Sequence, residues 1–333
     1  MRAVRVVAPD VVEIADVPEP SSVDLYEVGV DLVGICGTDT KIVSGDVSVR
    51  YPRILGHEMV GRVHSAPPGA HFAEGTRVLV DPGVACGWCD LCIFGRTHLC
   101  RNGGLLGRDV DGVFTERVLV PANRLVAVPA SISHHASGLL QVLGTCVHAM
   151  RRVVVQPGRV SAVLGLGVAG QLLVQLLALR GARVVGITRS EWKRELAKQC
   201  GASAVAEPGG AGAVLDDLTD GRGPELVVEA VGTETTLARA IELVGIGGEI
   251  LAYGTITDGS AGLPYYQLYH KELTIRSPRA AVIGDYADAV SLAAGGAVSL
   301  EPMVTHELGL EDARTAFELV HHPSALKVLM NLS

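Results

Sequence analysis

The run Gly165-Leu166-Gly167-Val168-Ala169-Gly170 constrains this chain more than any other feature. Glycine fills 40 of 333 positions, so the G-x-G-x-x-G spacing alone says little. Its surroundings say more. Val160 to Leu164 is an apolar run of strand length. Gln171 to Leu179 is an apolar run of helix length, stopped by Arg180-Gly181, and Arg183 to Ile187 is a second strand. Strand, glycine turn, helix and strand make a βαβ unit on a parallel sheet. In such a turn the first glycine permits the tight bend and the second lets a pyrophosphate approach the backbone. The third lets the helix pack on the sheet, with its N-terminus facing the phosphates. Residues 165–170 are therefore expected to hold a dinucleotide.

The end of the next strand selects the cofactor. An acidic residue there would accept hydrogen bonds from a ribose 2′-hydroxyl. This chain has Thr188-Arg189-Ser190 instead. A hydroxyl followed by a guanidinium suits a 2′-phosphate, because arginine matches its fork to phosphate oxygens. NADP(H) is expected in preference to NAD(H). The stretch Val160 to Leu179 also has the length of a membrane span, with only Ser161, Gln171 and Gln175 as polar side chains. Three glycines interrupt its middle. A buried strand and helix read the same way, and that reading is adopted.

The texture differs on either side of this unit. The first 130 residues read as short strands, among them Val4 to Val7, Glu27 to Val33 and Val118 to Val120. No strong helical period is visible before about Ser137. Beyond the glycine turn, a helix is expected over Glu191 to Gln199, with strands at Leu226 to Val228 and Glu249 to Leu251. Gly209-Gly210-Ala211-Gly212 reads as a loop. Helices are expected over Tyr286 to Ala294 and Leu310 to Val320, then a last strand over Lys327 to Asn331. A chain of 333 residues fits two domains.

Formal net charge is −8, no lysine or arginine run is present, and aromatic residues make up 4%, so a nucleic-acid partner is not expected. The N-terminal residues carry no apolar core of signal-peptide length, and a cytoplasmic location is expected. The cysteines agree with a reducing compartment. Four of the seven fall within fifteen residues, as Cys86-x2-Cys89-x2-Cys92-x7-Cys100. Zinc prefers such a closed thiolate set when it is structural. An iron–sulfur or redox role is the alternative. A second constellation is Gly34-Ile35-Cys36-Gly37-Thr38-Asp39 with Gly56-His57-Glu58. A thiolate, an imidazole and a carboxylate can hold zinc and leave one position open.

Together these motifs resemble the medium-chain, zinc-dependent alcohol dehydrogenase superfamily, in its sorbitol, threonine and glucose dehydrogenase-like branch. The likeness includes Gly56-His57-Glu58-x2-Gly61, the four-cysteine lobe, Gly112-x-Phe114-x-Glu116, the glycine turn and Lys271-Glu272-Leu273. It implies an α/β chain: a GroES-like, mostly-β catalytic domain over residues 1–150 and 285–333, and a Rossmann domain over 151–284, with the active site in the cleft. It implies two zinc ions per chain. One is held by Cys36 and His57, by Glu58 directly or through water, with Gln141 at the remaining metal-site position, and one by Cys86, Cys89, Cys92 and Cys100. Thr38 matches the hydroxyl that starts the proton relay, Asp39 the partner that orients the histidine, and Thr145 a threonine beside the nicotinamide. The outer relay histidine of many relatives is replaced by Lys41.

The activity so implied is reversible oxidation of a secondary alcohol of polyol, sugar or cyclitol type to its ketone, by a homodimer or homotetramer. A zinc-independent quinone or enoyl reductase on the same fold would lack Cys36, His57 and the cysteine lobe. A catalytically silent NADPH-binding sensor is the reading from another class. Counting charges, the Cys36 thiolate and the Glu58 carboxylate would cancel both positive charges of the zinc. Cys146 reads as core packing, and His98, His134, His135, His321 and His322 have no partner at ligand spacing.

Overall fold

A computed structural model describes residues 1–256 and 262–333, and the chain divides into two compact units. The second spans residues 145–279 and 297–299. Its six strands are all parallel, in the spatial order Ala204–Ala206, Arg183–Ile187, Val160–Leu164, Leu226–Glu229, Glu249–Ala252, Thr274–Arg276. Numbered along the chain this order is 3-2-1-4-5-6, the doubly wound arrangement whose switch point lies beside the first strand. Val160–Leu164 is buried at every position, as a strand covered on both faces must be. The helix Val168–Leu179 follows the glycine turn. The apolar stretch 160–179 is therefore a strand and a separate helix, and no helix among the described residues is long and apolar enough to cross a membrane.

The first unit comprises residues 1–144, 280–296 and 300–333. A mixed sheet runs through Leu125–Ala127, Arg77–Val80, Glu58–Ser65, Tyr26–Gly34, Lys327–Asn331 and Val304–Gly309, with Arg117–Val120 also paired to Tyr26–Gly34. The C-terminal strand thus lies beside Tyr26–Gly34, with Leu329 opposite Gly34. A smaller sheet joins Val11–Asp16, Arg2–Ala8 and Arg53–Ile54. Tyr26, Ile42, Leu55, Met59 and Phe114 of the unit's core are among the largest fully buried side chains of the described residues. The division between the units falls inside the helix Leu140–Met150, between Gly144 and Thr145.

Two local expectations need correction. Gly37–Val43 is a helix, although a glycine start and a β-branched end give it little intrinsic propensity. Its N-terminus is tied down by Asp39, whose carboxylate accepts from the Cys36 N–H at 2.9 Å. Ala211 and Gly212 are not loop but the first turn of the helix Ala211–Thr219. Ala211 is fully buried there, and burial outweighs the glycine penalty.

Candidate active site

Two chain segments converge on one cluster in the first unit. Cys36 precedes the helix Gly37–Val43, His57 precedes the strand Glu58–Ser65, and Glu58 opens that strand. Their ligand atoms all lie within 4.8 Å of one another. Asp39 is fully buried beneath them. Besides the Cys36 N–H it accepts from the Gly56 N–H at 3.2 Å, and it stands 3.6 Å from His57 Nδ1. One carboxylate thereby joins both ligand-bearing loops. The Thr38 hydroxyl is 3.9 Å from Cys36 Sγ. Gly56 has φ +94°, and a Cβ there would come within 2.7 Å of the Phe114 ring. Gly112 packs on the Gly56 carbonyl, and the Val113 N–H donates to it at 3.1 Å. The Gly112-x-Phe114 motif is thus the wall that holds Gly56-His57-Glu58 in place.

The electrostatics call for a cation. Burial opposes charge on His57, yet Asp39 and Cys36 outweigh it and hold the imidazole pKa well above its ordinary value. A metal ion supplies that missing positive charge when the imidazole binds through a lone pair. Sulfur, imidazole nitrogen and carboxylate oxygen form a donor set that zinc accepts.

The cluster contains a residue that sequence reasoning missed. Lys327, 3% exposed, forms an ion pair with Glu58 Oε2, and its Nζ also donates to the Ile35 carbonyl at 3.1 Å. A Cβ on Gly34 would meet Glu58 Oε2 and Lys327 Cε at 2.4 and 2.5 Å, so glycine there leaves room for the pair. The charge count changes accordingly. Lys327 offsets Glu58, so the negative charges left facing a zinc ion held by this set are the Cys36 thiolate and Asp39 beneath it. The available signal was a lysine opening a strand that is otherwise Val-Leu-Met, since a buried ammonium requires an anion.

Gln141 lies in the first turn of the helix Leu140–Met150 and is 7% exposed. Its amide nitrogen donates to the Tyr286 hydroxyl at 3.3 Å. The amide oxygen has no hydrogen bond among the described residues. Burial, with the negative charges of Asp81, Asp285 and Glu58, pushes the Tyr286 pKa well above its ordinary value, so it stays a neutral phenol. Gly144 makes room for that ring, because a Cβ would come within 2.2 Å of it.

Cys86, Cys89, Cys92 and Cys100 form the second cluster. Cys86 and Cys92 sulfurs are 4.0 Å apart, and those of Cys89 and Cys100 are 3.9 Å apart. Four thiolates at about 2.3 Å from one tetrahedral zinc stand about 3.8 Å from each other. A disulfide would need about 2 Å. The Cys86 N–H points at Cys100 Sγ (3.2 Å) and the Cys89 N–H at Cys86 Sγ (3.4 Å). Arg101 closes the lobe with a two-pronged pair to Asp90 at 2.8 and 2.9 Å.

In the second unit each glycine of the turn has its own geometry. Gly165 has φ +92°. Gly167 is exposed at the N-cap of Val168–Leu179, and a Cβ there would meet nothing within 4 Å. A Cβ on Gly170 would fall 1.9 Å from the Gly165 carbonyl oxygen. Bend, open approach and close packing fall on the three glycines in turn. Leu166 is 1% exposed, so only its backbone can face a ligand, while Val168 and Ala169 are half-buried. Thr188 and Ser190 are half-buried at the end of the next strand, with Arg189 exposed between them.

Residues 24–130 match the alcohol dehydrogenase GroES-like domain, and residues 168–295 match the zinc-binding dehydrogenase family. The L-threonine 3-dehydrogenase of Pyrococcus horikoshii is 31% identical over 97% of this chain and 95% of its own length. The chain belongs to the zinc-dependent medium-chain alcohol dehydrogenase superfamily. It is 30% identical to the 2-dehydro-3-deoxy-L-galactonate 5-dehydrogenase of Pseudoalteromonas atlantica, over 91% of each chain. Among solved structures it is similar to a zinc-binding dehydrogenase of Sinorhizobium meliloti 1021 bound to NADP (31% identity, TM-score 0.90, 99% of both chains). It is also similar to the alcohol dehydrogenase TADH of Thermus sp. ATN1 (30%, TM-score 0.91, all of both chains).

The protein is thus an NAD(P)-dependent zinc alcohol dehydrogenase with a GroES-like domain and a Rossmann domain. Further residues of the dehydrogenase acquire partners that spacing could not reveal. The Thr145 hydroxyl meets the Tyr253 hydroxyl at 2.8 Å, and Tyr253 directly follows the strand Glu249–Ala252. Cys146 is fully buried, 3.8 Å from the Ala169 carbonyl. Lys271 donates to the carbonyls of Ile241, Glu242 and Val244, which caps the helix Glu234–Leu243 and gives its motif a structural purpose. His135, assigned no partner from the sequence, bridges Glu307 at 2.8 Å and Glu301 at 3.6 Å.

Proposed function

We propose that the enzyme interconverts a secondary alcohol of polyol, sugar or cyclitol type and its ketone, with NADP(H) preferred over NAD(H). The observation that carries this reading is the Cys36–His57–Glu58 cluster, with His57 and Glu58 buried and Cys36 half-buried, held together by Asp39 and flanked by the Thr38 hydroxyl. Zinc held by these residues would supply Lewis acidity that makes the alcohol proton easier to remove, and a bound nicotinamide would supply the hydride acceptor. Thr38 takes the substrate's hydroxyl proton. Asp39 orients the His57 ring through the side facing Nδ1. Lys327 fixes the Glu58 carboxylate, and Gln141 contributes a neutral oxygen. Because Lys41 replaces the usual outer histidine, the proton leaves by another route.

Two zinc ions per chain are proposed, the second held by Cys86, Cys89, Cys92 and Cys100, where it closes the lobe. Gly165 to Gly170 receive the pyrophosphate, Thr188, Arg189 and Ser190 the 2′-phosphate, and Thr145 stands beside the nicotinamide. The substrate class draws support from relatives named for a sugar acid, for threonine and for xylulose. The NADP(H) preference draws support from Thr188-Arg189 and from the NADP-bound relative. A cytoplasmic homodimer or homotetramer acting on small molecules completes the reading. The test is turnover of polyols, sugars, aminocyclitols and simple secondary alcohols with both cofactors, beside elemental analysis of unchelated protein. We expect two zinc ions per chain and polyol-type turnover. Zinc at trace level, or no oxidation of any hydroxylated substrate, overturns the reading.

A further inference from the structure

Arg194 occupies an unusual place. It lies in the helix Glu191–Gln199, one turn before the buried Ala197, yet its side chain is only 14% exposed. Its guanidinium has a fixed set of partners. Nη1 donates to the Thr188 carbonyl at 2.9 Å and to the Arg189 carbonyl at 3.0 Å, and Nη2 pairs with Glu207 at 3.1 Å. Glu207 follows the neighbouring strand Ala204–Ala206, and the Thr188 N–H donates to the Ala206 carbonyl at 3.1 Å. One half-buried arginine therefore stitches the ends of two adjacent strands. Arg189 is the opposite case. Its side chain is exposed and makes no hydrogen bond or ion pair among the described residues.

The two arginines divide the work by geometry. A guanidinium already committed to two carbonyls and a carboxylate has little capacity left for a ligand. One without partners has all its donors available for phosphate oxygens. Glu207 is negative and sits next to the strand end that carries Thr188, so an unpaired carboxylate there would oppose a dianionic phosphate. We propose that Arg194 is the positioning residue of the 2′-phosphate subsite. It holds the loop from which Thr188 and Arg189 reach the phosphate, and it cancels the charge of Glu207. This rests on the NADP(H) reading above and deepens it. Lysine is not equivalent, because its donors radiate from one nitrogen, whereas Arg194 reaches the two carbonyls with Nη1 and the carboxylate with Nη2.

The experiment is calorimetric titration with 2′,5′-ADP and with 5′-AMP, which differ by the 2′-phosphate alone. It uses the full-length enzyme and its Arg189→Ala, Arg194→Met, Arg194→Lys and Arg194→Met/Glu207→Gln variants, each checked for unchanged Tm. Arg194→Met should weaken 2′,5′-ADP about three- to tenfold, the worth of one well-placed hydrogen bond, and leave 5′-AMP unchanged. Arg194→Lys should fall between, and adding Glu207→Gln should recover part of the loss. Equal loss of both ligands from Arg194→Met means a general structural role and overturns the proposal. So does a full-strength 2′,5′-ADP site in Arg194→Met when Arg189→Ala has lost it. If Arg189→Ala itself binds 2′,5′-ADP normally, the NADP(H) reading fails, and that failure is visible separately.

Discussion

The two sulfur-bearing clusters of this dehydrogenase are built in opposite ways. The cysteine lobe takes all four sulfurs from one stretch of fifteen residues, and its own backbone N–H groups point at two of them. The Cys36–His57–Glu58 cluster draws on distant segments and depends on Lys327, which is 269 residues from Glu58. The first needs only local chain and a metal. The second needs the completed sheet before its charges are balanced. A closed thiolate set can therefore serve stability, while a set with a spare position and a tuned charge can serve chemistry.

Exchanging one ligand in each cluster should separate these roles most sharply. Cys36→Ser should lose several kcal/mol of transition-state stabilisation, about a thousandfold in kcat/KM, with little change in Tm. Cys89→Ser should lower Tm and remove one zinc before it touches kcat/KM in the protein that remains folded. Elemental analysis, thermal melts and steady-state rates on both variants check this. The same signature from both would erase the distinction.

The next effect belongs to Lys327. Lys327→Met leaves Glu58 as a buried, uncompensated charge, and such losses cost about 3–5 kcal/mol. Urea unfolding of Lys327→Met and of Lys327→Met/Glu58→Gln should show the double variant recovering most of that loss. A single variant as stable as the wild type would mean that Glu58 is not dependent on its partner.

Asp81 stands at the root of the lobe, just after the strand Arg77–Val80, and is 7% exposed. Burial pushes its pKa up to about 6 from an ordinary 3.8, against the Gly83 N–H and Arg124, with Asp285 adding to the rise. A raised carboxyl pKa means that the folded state binds the extra proton. The stability it contributes is present below pH 3.8 and is lost as pH rises through about 6. Asp81→Asn does not titrate. Its unfolding free energy relative to the wild type should therefore rise by up to about 3 kcal/mol between pH 4 and 7. Parallel curves for the two proteins over that range would refute the assignment.

The smallest effect concerns Gln141. Tyr286→Phe removes the acceptor that occupies the amide nitrogen and frees the amide to turn over. Metal retention against a chelator should weaken about tenfold or less, roughly one hydrogen bond, and Gln141→Ala should make the tyrosine change silent. Additive losses in the double variant would show that the two residues act apart.

Much of this was legible without a structure. Val160 to Leu164, Arg183 to Ile187 and Glu191 to Gln199 stand where their patterns put them, because strand and helix periods are local properties. The three glycines of the turn and the four cysteines of the lobe were also visible, since each set acts within a short stretch of chain. Asp39 beneath His57 could be carried over only from the family likeness. The partners of Lys327, Tyr286 and Arg194 could not be read. Lys327 alone stood out, as a lysine opening an apolar strand, while Tyr286 and Arg194 look like ordinary core and surface residues in their own segments. What each does is set by a buried partner brought close by sheet order or helix docking. Burial decides the rest: in water a lysine or an arginine needs no particular neighbour, whereas inside the protein an unpaired charge is too costly to keep.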